Sequence, residues 1–560
     1  MSISRIHALG LLFFTLSWLG YDHYRPWINF HSELLAFLGL FGLLLGLLLH
    51  KSKSIVMPRA SAWIVFAIAV PWLQYAFGVN FFAGDALVSS LYLSGLLAAI
   101  FVGHSFSHPD AQHLKYGLTG LMHCLWIAAM VSAAIGLAQW LNVDGPLGMY
   151  VVQSDPNDRA MGNLGQPNQL ATLLLMGIAG FLSVYERGVI GRLTFFLGIG
   201  FMTGVLILTQ SRTGMLSILV VTAFLMWKKR TVKSRLSAKA IAWWAVCFLI
   251  GTLCLPFLSE ALLLGDVRSL GLSTPISQRW RMWQQIAYAV LQSPWVGYGW
   301  NQTPTAQAAG AVAFPGSITY TYAHNFVMDM LAWNGLPLGT LLTGAIAYWF
   351  VTRIRASVRL DAVHAMACLL PLAVHSMLEY PFAYAYFLIA AGFMIGVVEA
   401  AMVPVKTIVV KVRWAWGFLA IWLALGSYLT YEYFLIEEDF RIVRFEGLHV
   451  GKTPESYEIP HMWMLSHMAA MLKAARQVPK PNMAKADLEN LRKVSQRFAY
   501  GSMNLRYTFA LALNGDSQGA SRQMAIIRGM YGEVYYAACK EEVRRLGKER
   551  YPQLAAVIAP

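Results

Sequence analysis

Apolar runs about as long as a bilayer is thick recur along most of this chain, separated by short polar stretches. Leu34 to Leu49 and Ala60 to Tyr75 set the pattern, each near the ~20 residues that a spanning helix needs. In order, the runs predict helices near 6–20, 33–50, 60–78, 86–103, 117–140, 165–184, 193–208, 213–228, 240–258, 325–351, 362–379, 385–403 and 414–434. The expected architecture is an all-α polytopic membrane protein of about 13 spans. The first run, Ile6 to Leu19, lacks a small-x-small cleavage site and is followed by further spans, so it reads as a retained helix.

After about Glu437 the pattern changes. The tail is charged, rich in Met and Ala, and amphipathic with helical period. Lys485 to Ala499, Leu505 to Leu513 and Ser521 to Tyr536 predict short helices packed in pairs, with Asn514-Gly515 as the break between two of them. The stack is similar to tetratricopeptide repeats, without a clean period of ~34 residues. The expected division is 1–435, a transmembrane domain with a large loop at about 259–324, and 436–560, a helical domain acting as a cap or a partner-docking surface.

Composition agrees: 57% of the 560 residues are hydrophobic and 13% charged, against about 25% charged in soluble proteins. The net charge of +15 would suit nucleic acid, but its placement excludes that reading. Basic residues gather in every second loop: Lys51, Lys53 and Arg59; Arg187 and Arg192; Lys228 to Lys239; Arg353, Arg355 and Arg359; Lys406, Lys411 and Arg413. By the positive-inside rule these loops and the N-terminus face the cytoplasm, and the alternate loops and the tail face outward. The histidines His104, His108 and His113 then fall in an inward loop as a solvated cluster. The five cysteines show no metal-ligand spacing, and Cys247 and Cys254 read as small buried residues on one helix face. Neither a disulfide framework nor a metal site is expected.

The outward side breaks the charge rule, since Arg25, Arg159, Arg212, Arg279 and Arg281 all lie there. One such arginine would be read as snorkelling to lipid headgroups. Several together point to an anionic substrate, because guanidinium binds phosphate oxygens bidentately and keeps its charge. Arg279 and Arg281 lie in Gln278-Arg279-Trp280-Arg281-Met282-Trp283, which reads as the start of a helix along the membrane surface. At the far end of the same loop, His324 stands where a membrane helix should begin. A histidine with a pKa near ~6.5 can accept a hydroxyl proton at neutral pH, which makes His324 the first candidate base. The bland alternative is an interfacial histidine bonded to a carbonyl; His31 and His375 are second-rank candidates. Two further features are polar where a span begins or ends. Gln166, Asn168 and Gln169 open one helix, as ligands for sugar hydroxyls or as glue between helices. Glu379 and Tyr380 end another, ahead of Pro381.

These residues resemble a known family. Gly165-Gln166-Pro167-Asn168-Gln169 with Arg159 ahead of it, together with His375-x-x-x-Glu379-Tyr380-Pro381, resembles the signature of bacterial protein O-oligosaccharyltransferases of the PglL type. Ser211-Arg212-Thr213-Gly214, Arg279-x-x-x-Trp283 and the His324-Asn325 step resemble the wider O-antigen ligase and polymerase superfamily. The resemblance implies a GT-C-like fold and en bloc transfer of a glycan from undecaprenyl pyrophosphate to Ser or Thr of a periplasmic, pilin-like protein. It implies a site on the periplasmic face of the bacterial inner membrane, with no cofactor, nucleotide sugar or metal. It places the essential histidine at His324, phosphate-binding arginines at Arg212 and Arg279, and the tyrosine at Tyr380. The family's glutamine falls on Gln166 or Gln169, a choice the sequence leaves open. Attachment of glycan to lipid A and polymerisation of repeat units are the chemical rivals. A transporter of lipid-linked glycan would place polar groups and broken helices near mid-membrane, whereas here they gather at the outer face.

Overall fold

A computed structural model describes every residue except 1–2, 51–52, 108–116, 155–157, 263, 265–274, 403–405 and 558–560; the side chains of 275–277 also lie outside it. His108, His113 and Lys51 are therefore outside the described residues. Each apolar segment expected from the sequence is helical: Ile3–Leu16, Phe30–His50, Ser61–Ala76, Ala83–Ser107, Gly117–Trp140, Pro167–Glu186, Arg192–Leu208, Arg212–Lys228, Ala238–Ala261, Phe326–Ala356, Leu360–Ser376, Ala385–Ala400 and Val412–Gly447. Among the described residues, seven helices are long and apolar enough to cross a membrane, as befits a multi-pass membrane protein.

The chain forms two compact units. The first comprises Met1–Phe66, Leu91–Leu270 and Tyr348–Gly426; the second comprises Ala67–Ser90, Gly271–Ala347 and Ser427–Pro560. The boundary expected near 436 falls inside the helix Val412–Gly447, and the second unit takes in more than the tail.

In the first unit, Pro167–Glu186 is the central helix, buried along nearly its whole length. It packs against Gly117–Trp140, Arg192–Leu208, Arg212–Lys228 and Leu360–Ser376. Ile3–Leu16 packs on Phe30–His50 through Gly10 and Gly39, where a Cβ on Gly39 would stand 2.7 Å from the Phe14 amide nitrogen. Small residues permit this backbone approach, as in other membrane helix pairs.

The basic loops of this unit bond to one another. Ser54–Pro58 and Thr407–Lys411 form an antiparallel ribbon, with Ser54 opposite Lys411 and Pro58 opposite Thr407. Arg187 pairs with Asp361 at 2.6 Å, Arg353 with Glu399 at 2.5 Å, and Lys228 Nζ donates to the Arg355 carbonyl at 2.9 Å. Glu186 accepts from the Arg235 and Leu236 amides at 2.8 and 3.2 Å. Loops that charge alone assigned to one side therefore meet at one end of the bundle.

Two expectations are corrected. His104 is not in a solvated loop: its helix runs on to Ser107 and buries the ring to 1% exposure. Cys247 and Cys254 are exposed rather than buried, because Ala238–Ala261 turns most of its surface away from the bundle. Periodicity shows which residues share a face, and not which face meets lipid. All five cysteines are free.

In the second unit, the expected loop at 259–324 contains the helices Pro275–Gln292 and Thr303–Gly310. Phe326–Ala356 breaks at Gly335 (φ 71°), where the Leu336 amide donates to the Pro294 carbonyl at 2.7 Å. A Cβ on Gly335 would lie 2.6 Å from that oxygen, so both conformation and space require glycine. The tail forms Ser466–Arg476, Lys485–Phe498, Gly501–Leu513 and Ser517–Glu549, each packed on the next. Gly515 (φ 92°) makes the expected break, and the Asp516 side chain caps the following helix through the Gly519 amide at 2.7 Å.

Candidate active site

The first unit holds Arg159, Gln166, Asn168, Gln169, Arg212, Glu379 and Tyr380. The turn Gly162–Leu164 precedes the central helix, with Gly165 in the left-handed region and Pro167 in the first helical turn. Its geometry is fixed from below. Gln139 Oε1 accepts from the Met161 and Gly162 amides at 3.1 and 2.7 Å. Asn163 Nδ2 donates to the carbonyls of Leu19 and Tyr150 at 2.8 and 3.1 Å. Arg159 lies half-buried on this loop.

Asn168 is a junction. Its Oδ1 accepts from Ser211 Oγ at 2.7 Å, and its Nδ2 lies 3.5 Å from Glu379 Oε1, a long contact. Ser211 is the N-cap of Arg212–Lys228 and accepts from the Gly214 amide at 2.9 Å. Gln210, at φ 46°, turns the chain so that Arg212 begins that helix half-buried. Thr172 Oγ1 and His375 Nδ1 are 2.9 Å apart, so His375 is a buried partner of the central helix. Asn168, Ser211 and Glu379 thus meet where three helices begin or end.

The two glutamines separate. Gln169 is buried, and its Oε1 accepts from the Tyr386 hydroxyl at 2.9 Å. Gln166, the helix N-cap residue, is half-buried and uses only its backbone carbonyl for the first turn, accepting from the Gln169 and Leu170 amides at 3.1 Å each. Tyr386 in turn stacks on Tyr384 at 5.6 Å, and Tyr384 on Tyr380 at 5.9 Å. The aromatic row supports Tyr380.

Sequence reasoning passed over Glu33. It is buried and accepts from Trp27 Nε1 at 2.8 Å, from the Ala385 amide at 3.3 Å and from the Tyr92 hydroxyl. A carboxylate at the start of Ala385–Ala400 suits the positive end of that helix. The signal was a single carboxylate in the otherwise apolar run Phe30–His50, since intramembrane charge is costly and seldom idle.

The second unit holds Arg279, Arg281, His324 and Asn325. Arg279 is half-buried and Arg281 exposed on the helix Pro275–Gln292; Arg281 Nη1 reaches Gln284 Oε1 at 3.4 Å. His324 is half-buried with φ 52°, and its ring meets Tyr320 edge-on at 5.1 Å. Asn325 has a structural use: its Oδ1 accepts from the Met328 amide at 3.1 Å and caps the next helix. Ala323 is held on both sides, its amide donating to Asp329 Oδ1 at 2.9 Å and its carbonyl accepting from Trp283 Nε1 at 2.8 Å. Behind it, Gln307 Nε2 donates to Gln285 Oε1, Ser317 Oγ and the Ile318 carbonyl at 3.1, 2.9 and 2.8 Å. Among the described residues no three His, Cys, Asp or Glu side chains group as a metal site.

Residues 160–181 match the family described as Protein glycosylation ligase, residues 197–343 O-Antigen ligase, and residues 363–545 Virulence factor membrane-bound polymerase, C-terminal. The chain is 27% identical to a General O-oligosaccharyltransferase of Acinetobacter baylyi, covering 94% of this chain and 92% of that protein. It is 26% identical to a ComP-specific O-oligosaccharyltransferase of the same organism, over 66% of each. These matches run through the amide cluster, the arginine turn, the His324 step and most of the tail. The chain is a glycosyltransferase, similar along nearly its whole length to a bacterial O-oligosaccharyltransferase and over 197–343 to the O-Antigen ligase family.

Proposed function

We propose that this protein moves a glycan en bloc from undecaprenyl pyrophosphate to a Ser or Thr hydroxyl of a pilin-like periplasmic protein. The observation that carries this reading is the coincidence of the Protein glycosylation ligase match, 160–181, with the turn that presents Gln166 and Asn168 next to Ser211-Arg212. The proposal includes about 13 spans in the bacterial inner membrane, a cytoplasmic N-terminus, and a periplasmic site and C-terminal domain.

In this mechanism the acceptor oxygen attacks the anomeric carbon as the bond to the pyrophosphate oxygen breaks. His324 takes the hydroxyl proton. Arg212, Arg279 and Arg281 stabilise charge on the departing pyrophosphate. Arg212 stands at a helix N-terminus, where the backbone also favours an anion. Of the two glutamines, Gln166 is the substrate-facing one, because Gln169 is buried and bonded to Tyr386. Arg159, Asn168, Glu379 and Tyr380 bind or orient the donor, and Asn325 supports His324 as a cap. A diphosphate is already a good leaving group, so the reading needs no metal.

The test is co-expression with a lipid-linked glycan and candidate pilins, reading acceptor mass by intact mass spectrometry. The acceptor gains one whole glycan, and His324→Ala and Arg279→Ala lose the gain while remaining in the membrane. Loss of transfer in EDTA, restored by Mg²⁺ or Mn²⁺, would overturn metal independence. Glycan appearing on lipid A in place of protein would favour the ligase reading.

A further inference from the structure

His324 is a non-glycine residue with φ 52°, a backbone state that side chains other than glycine adopt seldom. Such a state costs of order 1–3 kcal/mol and persists only where its surroundings over-determine it. The neighbours of His324 meet that condition. On its C-terminal side, Asn325 caps the helix Phe326–Ala356 through the Met328 amide. On its N-terminal side, both polar backbone groups of Ala323 are taken by side chains, the amide by Asp329 and the carbonyl by Trp283. The Ala323 carbonyl belongs to the same peptide plane as the His324 nitrogen. Trp283 therefore sets the plane from which the His324 side chain departs.

Asp329 is itself held. It is fully buried, and its Oδ1 also accepts from Thr303 Oγ1 at 2.6 Å; Trp333 Nε1 donates to the same hydroxyl at 2.8 Å. Its Oδ2 has no hydrogen-bond partner among the described residues. A buried carboxylate with one oxygen unpartnered is a poor contributor to stability, and a neutral side chain could make the same two bonds at lower cost. Stability alone gives no reason for this residue.

We propose that Asp329 and Trp283 are positioning residues for His324, holding the Ala323 backbone so that the imidazole points where the proton must be taken. Trp283 lies one turn from Arg279 on the helix Pro275–Gln292, so this contact also ties the arginine-bearing helix to the histidine turn. The proposal rests on His324 being the base. It differs from that reading in naming the groups that aim it.

The experiment uses the full-length protein in detergent or nanodiscs, an undecaprenyl-pyrophosphate-linked oligosaccharide as donor and a purified pilin as acceptor, with kcat and KM for the donor measured separately. Displacing a catalytic group by about 1 Å costs on the order of 10²-fold. Asp329→Leu lowers kcat by about that factor with the donor KM unchanged, and Asp329→Asn, which keeps an acceptor oxygen, restores most of the rate. Trp283→Phe keeps the ring, loses the donor and lowers kcat by about 10-fold, a tenfold being about 1.4 kcal/mol. The double variant Trp283→Phe with Asp329→Leu loses less than the product of the single losses, since both act through one residue. If His324→Ala abolishes transfer while Asp329→Leu and Trp283→Phe keep full kcat, the positioning role is wrong. The same follows if Asp329→Asn is no better than Asp329→Leu. Full transfer by His324→Ala overturns the base assignment instead. Trp283→Phe, a conservative change at a half-buried ring, keeps the test decisive should Asp329→Leu fail to fold.

Discussion

In the first unit the candidate residues bond to one another, side chain to side chain: Ser211 to Asn168, Asn168 to Glu379, Thr172 to His375, Tyr386 to Gln169. In the second unit polar side chains also bond one another, as Thr303 does Asp329 and Gln307 does Gln285, but around His324 they hold main chain as well. Trp283 and Asp329 hold Ala323, Gln307 holds Tyr320 and Ile318, and Asn325 holds Met328. A side-chain network spreads its work, because a member that is removed leaves partners that rearrange. A held main chain concentrates function on the one side chain it presents, here His324. Tolerance to substitution should therefore differ between the units.

The largest effect tests that difference directly. His324→Ala removes the proposed general base and lowers the transfer rate by ~10²–10⁴-fold. Asn168→Ala removes one short hydrogen bond to the Ser211 hydroxyl, about 0.5–1.5 kcal/mol, and the long contact to Glu379, and lowers it by about 10-fold. Both are read as rates of acceptor mass gain at saturating donor. Equal losses would break the comparison, since Asn168 would then be as singular as His324.

A second prediction asks what the held loop in the second unit leans on. The Gly529 carbonyl accepts from the Gly316 and Ser317 amides at 3.2 and 3.3 Å, and from Gln285 Nε2 at 3.3 Å. Thr319 Oγ1 donates to the Met530 carbonyl at 3.4 Å. The tail helix Ser517–Glu549 is therefore bonded to the segment that leads to His324. A Cβ on Gly529 would lie 2.2 Å from the Ala311 oxygen, which is backbone and cannot swing aside. Alanine ordinarily favours a helix over glycine by about 1 kcal/mol, so a loss at this position reports the contact and not propensity. Gly529→Ala costs about 1–3 kcal/mol of stability and lowers transfer, whereas Gly547→Ala does neither. Gly547 is the control because its Cβ would meet nothing nearer than Leu554 Cβ at 3.5 Å. Unchanged melting and transfer in Gly529→Ala would mean that the tail does not support the loop.

How far these features were legible depended on the kind of interaction. Charge sorting needs only loop composition, and it correctly grouped the loops that Ser54–Pro58 and Thr407–Lys411 join. It did not reveal the ribbon, because five-residue strands with a partner hundreds of positions away leave no local period. The amide run at 166–169 and the His324 step stood out as polar groups at helix starts. Their division of labour did not, since Gln169 is told from Gln166 by Tyr386 and not by any neighbour in sequence. The capping bond of Asn325 was not legible, because the Met328 amide it accepts from is silent in a sequence. Asp329 was hidden for the same reason, its job being to hold the amide of Ala323.

The smallest effect sharpens the contrast at another place in the second unit. His467 begins the tail helix Ser466–Arg476, is buried, and lies with its ring parallel to Phe498 at 6.4 Å. Gly84 packs so closely that a Cβ there would stand 2.4 Å from His467 Nδ1. Burial lowers the His467 pKa from its ordinary value; Asp85 works against the shift, and Arg497, bonded to Asp85 at 2.8 Å, works with it. The unfolded chain therefore binds a proton near pH ~6.5 that the folded one refuses until the pH is lower. Below that pH the unfolded state holds more protons, so stability falls as pH falls, by at most about 1.4 kcal/mol per pH unit for this one group. Above it the contribution is constant. The melting temperature of the solubilised protein should drop between pH 7 and pH 5.5 by more in the native chain than in His467→Gln, whose amide does not titrate. Parallel pH profiles for the two would show that this packing surface accepts a proton without cost. The side chain would then belong with the forgiving networks of the first unit and not with the held backbone of the second.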